Sequence, residues 1–147
     1  MTEAPPVLQT LRMVRRFEAS PARVFEAWTD PDLAARWLFT GADSEGHTTE
    51  IDLKVGGRWE IVDRRGGVDY RAIGEYLEIE PPRRLVFSFG MPQFSEALTT
   101  VTVEIEADGD GARMTLTQAG LQAEAVAALE QGWGHMFDAL VRQLAGA

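Results

Sequence analysis

The stretch AEAVAALEQGWGHMFDALVRQL, Ala123 to Leu144, decides the fold. Val126, Leu129, Trp133, Met136, Phe137, Leu140, Val141 and Leu144 recur at spacings of three and four, so they share one face of a helix. At 1.5 Å per residue such a helix runs to roughly 30 Å, enough to cross a sheet. Trp133 stands between Gly132 and Gly134. Each glycine costs about 1 kcal/mol against alanine in a helix interior. A broad aromatic face combined with a weak point suits a lid over a cavity as well as it suits a packed core.

Upstream of the helix the periodicity is different. Leu8 to Glu18 reads as a strand. Ser20-Pro21 and Asp30-Pro31 then each place a capping side chain before a proline at the first helical position. Val24, Ala27 and Trp28 form one short apolar stripe, and Leu33, Ala34 and Trp37 another, which predicts two short helices in tandem. From Thr48 onward the period is two. Ile51 and Leu53, Trp59 and Ile61, Leu85 with Phe87 and Phe89, and Val101 with Val103 and Ile105 all alternate with polar residues. Gly56-Gly57, Gly66-Gly67, Pro81-Pro82 and the Asp-Gly-Asp-Gly at 108–111 punctuate these runs as turns. The apolar parity between Tyr70 and Ile79 shifts around Gly74, which predicts a bulge or bend there.

The order is strand, two short helices, six hairpin-linked strands and a long helix. Hairpins force antiparallel pairing, and alternation leaves one face solvated, so the expected fold is an α+β helix-grip: a curved antiparallel sheet of about seven strands around the C-terminal helix. A single domain from residue 7 to 147 is expected, after a disordered N-terminus at 1–6.

Bulk properties exclude several classes. The 147 residues are 45% hydrophobic and 25% charged, ordinary for a globular chain. There is no cysteine, hence no disulfide and no thiolate metal site. No apolar run approaches the 18 or so residues of a membrane span, and no signal peptide is evident, so a cytoplasmic location follows by default. The formal charge of −9, from 23 acidic and 14 basic residues, repels phosphate backbones and anionic lipid, which argues against nucleic-acid and membrane partners. Two histidines, His47 and His135, cannot build a three-histidine zinc site. No phosphate-cradling loop or Gly-x-Ser-x-Gly elbow occurs. No metal or cofactor is expected.

Several stretches carry a family resemblance. They are Phe17-Glu18-Ala19-Ser20-Pro21 leading into Val24-Phe25-Glu26-Ala27-Trp28-Thr29-Asp30-Pro31, then Arg36-Trp37, and Val55-Gly56-Gly57-Arg58-Trp59. Gly74-Glu75-Tyr76-Leu77-Glu78-Ile79-Glu80-Pro81-Pro82-Arg83-Arg84-Leu85-Val86-Phe87 and Gly132-Trp133 complete the set. In these the chain resembles bacterial proteins similar to the C-terminal domain of the heat-shock-protein-90 ATPase activator. Those proteins lie in the START-like (SRPBCC) superfamily, with birch pollen allergen and polyketide cyclases. The resemblance runs from about Leu8 to Leu144. It implies the helix-grip fold and a ligand cavity between sheet and long helix.

The aromatic residues carry the functional signal. Trp28, Trp37, Trp59, Phe87, Phe89, Trp133 and Phe137 all fall on expected inward faces, with Tyr70 and Gln118 placed to orient a ligand by hydrogen bonding. The competing reading is a solid aromatic core. Gly74, Gly132 and Gly134 remove side chains where a cavity would lie. Phe39, Met91, Pro92 and Phe94 occupy loops, where apolar residues suit a cavity rim or a partner surface. Among carboxylates, Asp63 shares the parity of Trp59 and Ile61, and Glu75 that of Ile73 and Leu77. Either, inside a cavity, would act as a general acid or base. Against this, acidic residues are seldom buried unpaired.

The leading expectation is a binder of an apolar, aromatic or lipid-like small molecule. An enzyme of the cyclase or hydrolase kind using Asp63 or Glu75 is the second. A chaperone-contacting module, or self-association through the loop at 91–94, is the third. The activator's N-terminal domain finds no counterpart in the sequence, which lowers the third.

Overall fold

The computed structural model describes residues 8–40, 44–93 and 98–145. Phe94 and the N-terminal segment 1–6 lie outside those residues. The elements follow the expected order: β1 (Gln9–Phe17), α1 (Pro21–Thr29), α2 (Pro31–Ala34), β2 (Gly46–Ile51), β3 (Arg58–Arg65), β4 (Val68–Glu80), β5 (Arg84–Phe89), β6 (Thr99–Asp108), β7 (Gly111–Leu121) and α3 (Ala123–Ala145). The seven strands form one antiparallel sheet in the order β1-β7-β6-β5-β4-β3-β2. This is the α+β helix-grip arrangement, with α3 lying across one face.

Local chemistry sets the element ends. The Ser20 hydroxyl accepts from the Arg23 N–H at 3.3 Å, and Pro21 opens α1. The Asp30 carboxylate accepts from the N–H groups of Asp32 and Leu33 at 2.9 and 3.1 Å, capping α2. That second helix is shorter than its apolar stripe predicts. It closes at Ala34, and turns carry the chain to Phe39, so Trp37 is buried from beyond the helix end. Gly66 and Gly67, with φ of +58° and +76°, make the two-residue hairpin between β3 and β4, a turn whose two central residues must both be left-handed.

The inner face of the sheet is apolar. Trp59 and Ile61 on β3, Ala72 and Tyr76 on β4, Leu85, Phe87 and Phe89 on β5, and the β6 and β7 alternations are all buried against α1 and α3. From α3 come Trp133, Phe137, Leu140 and Leu144. The outer face carries charge pairs, such as Arg84 with Glu78 and Glu104, each at 3.2 Å. Exposed pairs of this kind add little stability.

Two glycine and stripe expectations change. The register shift in β4 falls between Tyr76 and Glu78, not at Gly74. Gly74 instead permits a close approach: a Cβ there would lie 1.8 Å from the Ser88 carbonyl oxygen and 2.4 Å from Trp59 Nε1. A Cβ at Gly132 or Gly134 would meet nothing within 4 Å, so both border open space. Val141, at the margin of the helix stripe, is 39% exposed.

Candidate functional site

The space between sheet and helix is occupied by rings from four elements and a loop. Trp28 of α1 lies edge-on to Trp37 at 4.7 Å between centroids and touches Phe87 and Trp133, each at 5.9 Å. Trp59 of β3 meets Phe87 of β5 edge-on at 5.5 Å. Phe89 lies 6.3 Å from Trp133, and Phe137 lies 5.8 Å from the same indole. These separations fall in the range where aromatic quadrupoles attract.

Phe39, expected at the rim, is half-buried and packs its ring against the interior. Its ring stacks on Trp59 at 6.1 Å with planes 6° apart, on Phe89 at 5.4 Å and 30°, and meets Trp133 edge-on at 5.8 Å. It is the one non-glycine residue of positive φ among the described residues, at +50°. Its backbone N–H donates to Met136 Sδ at 3.2 Å.

What space remains is small. A void of about 20 Å³ is lined by Trp28, Leu38, Phe39, Ile51, Trp59, Ile61, Tyr76, Leu85 and Phe87. That is room for about one water, whereas ligand pockets run to about 300–1,000 Å³. The lining is apolar, and burial pushes the Tyr76 phenol above its ordinary pKa.

The indole N–H groups divide the interior. Trp133 donates to Gln118 Oε1 at 2.8 Å, Trp37 to the Ala27 carbonyl at 3.0 Å, and Trp28 to Met114 Sδ at 3.2 Å. The Trp59 N–H is buried with no partner among the described residues. Gln118 is wholly buried, and its amide nitrogen donates to Thr99 Oγ1 at 2.9 Å, so it serves as an anchor for Trp133.

The two candidate carboxylates point to opposite faces. Asp63 is buried on the inner face; the Ser44 hydroxyl donates to it at 2.6 Å and Arg65 Nε pairs with it at 3.0 Å. Ser44 in turn lies 3.1 Å from the Thr40 hydroxyl, next in sequence to Phe39. Asp63 thus ties the Phe39 loop to β3 and does not line the void. Glu75 corrects its expectation of an inward position. The parity it shares with Leu77 is the outer one, and both are exposed. Tyr70 faces Asp63 across the β3–β4 ladder, with the Arg65 guanidinium 4.4 Å over its ring. Met91 is half-buried against the core, and Pro92 is exposed. His47 is held by the Leu38 carbonyl and Thr49 hydroxyl, both at 3.2 Å, and His135 is exposed. Among the described residues no three acidic or histidine side chains converge as a metal site, and no helix is long and apolar enough to cross a membrane.

The family described as Activator of Hsp90 ATPase homolog 1-like protein matches residues 18–145. The chain belongs to this family. Solved structures agree with it in fold. A Chromobacterium violaceum protein, 25% identical, covers 92% of this chain and 96% of its own at a TM-score of 0.80. A Rhizobium loti protein is 28% identical over 94% of this chain and 98% of its own, also at 0.80. An HSP90 activator from Plasmodium falciparum is 27% identical over 78% of this chain and 74% of its own, at 0.62. No curated protein matches.

Within this Hsp90-activator-like fold, the sequence pattern had already brought together Trp28, Trp59, Phe87, Phe89 and Trp133. It missed Leu38, Ile51, Ile61, Tyr76 and Leu85 as walls of the void. The missed signal lies in Trp37-Leu38-Phe39, three consecutive large apolar residues beyond a helix end, which a surface loop does not need.

Proposed function

We propose that this family member binds an apolar small molecule, aromatic or lipid-like, between the sheet and α3, within one START-like domain spanning residues 7–147. One observation carries the reading: the wall of the aromatic interior is completed by Phe39, a half-buried turn residue in a left-handed backbone conformation. A loop wall can yield without unpairing the sheet or unwinding α3. Trp28, Trp59, Phe87, Phe89, Trp133 and Phe137 form the binding surface, with Trp37 and Gln118 behind it. Tyr70 and Met91 lie at its margins.

Titration of the protein with N-phenyl-1-naphthylamine tests this. The expected result is a saturable rise in probe fluorescence with shifts of the Trp59 and Trp133 indole N–H resonances. A linear, unsaturable response with unmoved indole signals overturns it. An acid–base role finds less support, since Asp63 is already paired with Arg65 and Ser44 while Glu75 lies on the other face. Kinship with an HSP90 activator supports chaperone contact as a second reading, tested by retention of purified Hsp90 on the immobilised protein.

A further inference from the structure

We propose that the Phe39 side chain is a built-in surrogate for the ligand, and that the part of the ligand recognised here is a neutral planar aromatic ring that takes its place. This rests on the reading of the interior as a ligand site.

Phe39 arrives from a turn and holds a left-handed backbone conformation at φ +50°. A side-chain-bearing residue stays there only where its surroundings hold it. Two brackets do so. One is a thioether, Met136 Sδ, a weak acceptor for the Phe39 N–H at 3.2 Å. The other is the Thr40–Ser44–Asp63 chain of hydroxyl and carboxylate contacts at 3.1 and 2.6 Å. Neither bracket belongs to the sheet ladder or the helix backbone, so release of Phe39 leaves both intact.

The shape of the place it fills specifies what would replace it. Trp59 is parallel to the Phe39 ring within 6°, Phe89 is within 30°, and Trp133 closes one end edge-on at 61°. Trp59 and Phe89, themselves 6.2 Å apart, lie together on one side of Phe39, so with Trp133 they form a one-sided slot in which a flat ring lays a face on faces and meets Trp133 edge to face. A saturated body of equal size fills the slot but has no quadrupole to match it. No charged side chain lines the adjoining void of about 20 Å³, so the inserted group is uncharged. That void would join the slot once Phe39 leaves. An apolar cavity on the order of 150 Å³ suffices for a benzene ring.

The experiment uses the full chain as wild type, Phe39→Ala and Phe39→Leu. Each is titrated with naphthalene and with decalin, its saturated ten-carbon counterpart, by calorimetry and by the four tryptophan indole N–H resonances. Phe39→Ala is expected to bind naphthalene at least about tenfold more tightly than wild type, because the competing internal ring is gone. It should prefer naphthalene to decalin by about fivefold or more. The Trp59 and Trp133 resonances should move while that of Trp37 stays. Equal naphthalene affinity in wild type and Phe39→Ala overturns the surrogate role. Equal affinity for naphthalene and decalin in Phe39→Ala overturns the aromatic selectivity. In both cases saturable binding at Trp59 leaves the ligand-site reading standing. Absence of saturable binding to all three proteins removes that reading and this one together. If Phe39→Ala loses its dispersed spectrum, Phe39→Leu, which keeps an apolar filler without the ring, decides by the same criteria.

Discussion

Trp133 on α3 and Trp59 on β3 are both buried, and both touch Phe39 and Phe89. Trp133 is bonded into a relay. Its N–H reaches Gln118 on β7, Gln118 reaches Thr99 on β6, and the Thr99 hydroxyl donates to the Phe89 carbonyl on β5 at 3.2 Å. The Trp59 N–H has no hydrogen-bond partner among the described residues. It abuts the backbone at Gly74, beside the void and the left-handed Phe39. A relay of directional bonds across three strands fixes the helix side of the interior, whereas ring packing and the local Met136 and Thr40–Ser44–Asp63 contacts hold the loop side. The helix side secures the fold, and the loop side can rearrange without breaking a hydrogen-bonded core.

The sharpest way to break this contrast is to make the same substitution in both places. Trp133→Phe and Trp59→Phe delete the same atoms. Trp133→Phe also leaves the buried Gln118 carbonyl oxygen without its donor, while Trp59→Phe removes a donor that had no acceptor among the described residues. An unsatisfied buried polar group costs about 1–3 kcal/mol. Trp133→Phe should therefore be the more destabilising by about that amount, read from urea denaturation midpoints. Equal losses would mean that the relay contributes no more than the packing around Trp59.

Much of this contrast is legible in the sequence, for reasons that can be named. Cap-plus-proline pairs, glycine turns and a change of period from two to 3.6 each act locally, so all the elements and their order follow from neighbours in the chain. The inward set of Trp59, Phe87 and Phe89 follows from alternation in the same way. Asp63 and Glu75 show where that stops. Alternation places Asp63 with Trp59 on the buried face. The parity of Glu75 is assigned through Ile73 and Leu77, and Leu77 is an apolar residue that faces solvent. Phe39 is harder still, because no period governs a loop. Its insertion depends on Met136, 97 residues away in sequence. The open surroundings of Gly132 and Gly134 depend likewise on how α3 is rotated over the sheet, which the apolar stripe specifies only to within its own width.

Gly132 provides a second, smaller test on the helix side. Nothing within 4 Å meets a Cβ there, and its backbone is ordinary helix. Gly132→Ala should stabilise by up to about 1 kcal/mol through helix propensity alone. It should leave affinity for an apolar probe unchanged, since the new methyl meets no atom of the aromatic cluster within 4 Å. A loss of affinity would place the binding surface partly at Gly132 and undo the division between a fixed helix side and a yielding loop side.

The smallest expected effect at neutral pH belongs to Tyr76, on the loop side. Its phenol lines the void, and burial raises its pKa above the ordinary value of about 10. A raised value in the folded state means the folded chain holds its proton where the unfolded chain releases it. The associated stability is complete below about pH 10 and is lost as pH rises beyond it. Tyr76→Phe should therefore match wild type in urea at pH 7 and fall less steeply between about pH 9 and 11. The size of that difference in slope measures how dry the loop side is. Parallel decline of the two proteins would mean that water already reaches Tyr76, and that the loop side stands open without Phe39 being displaced.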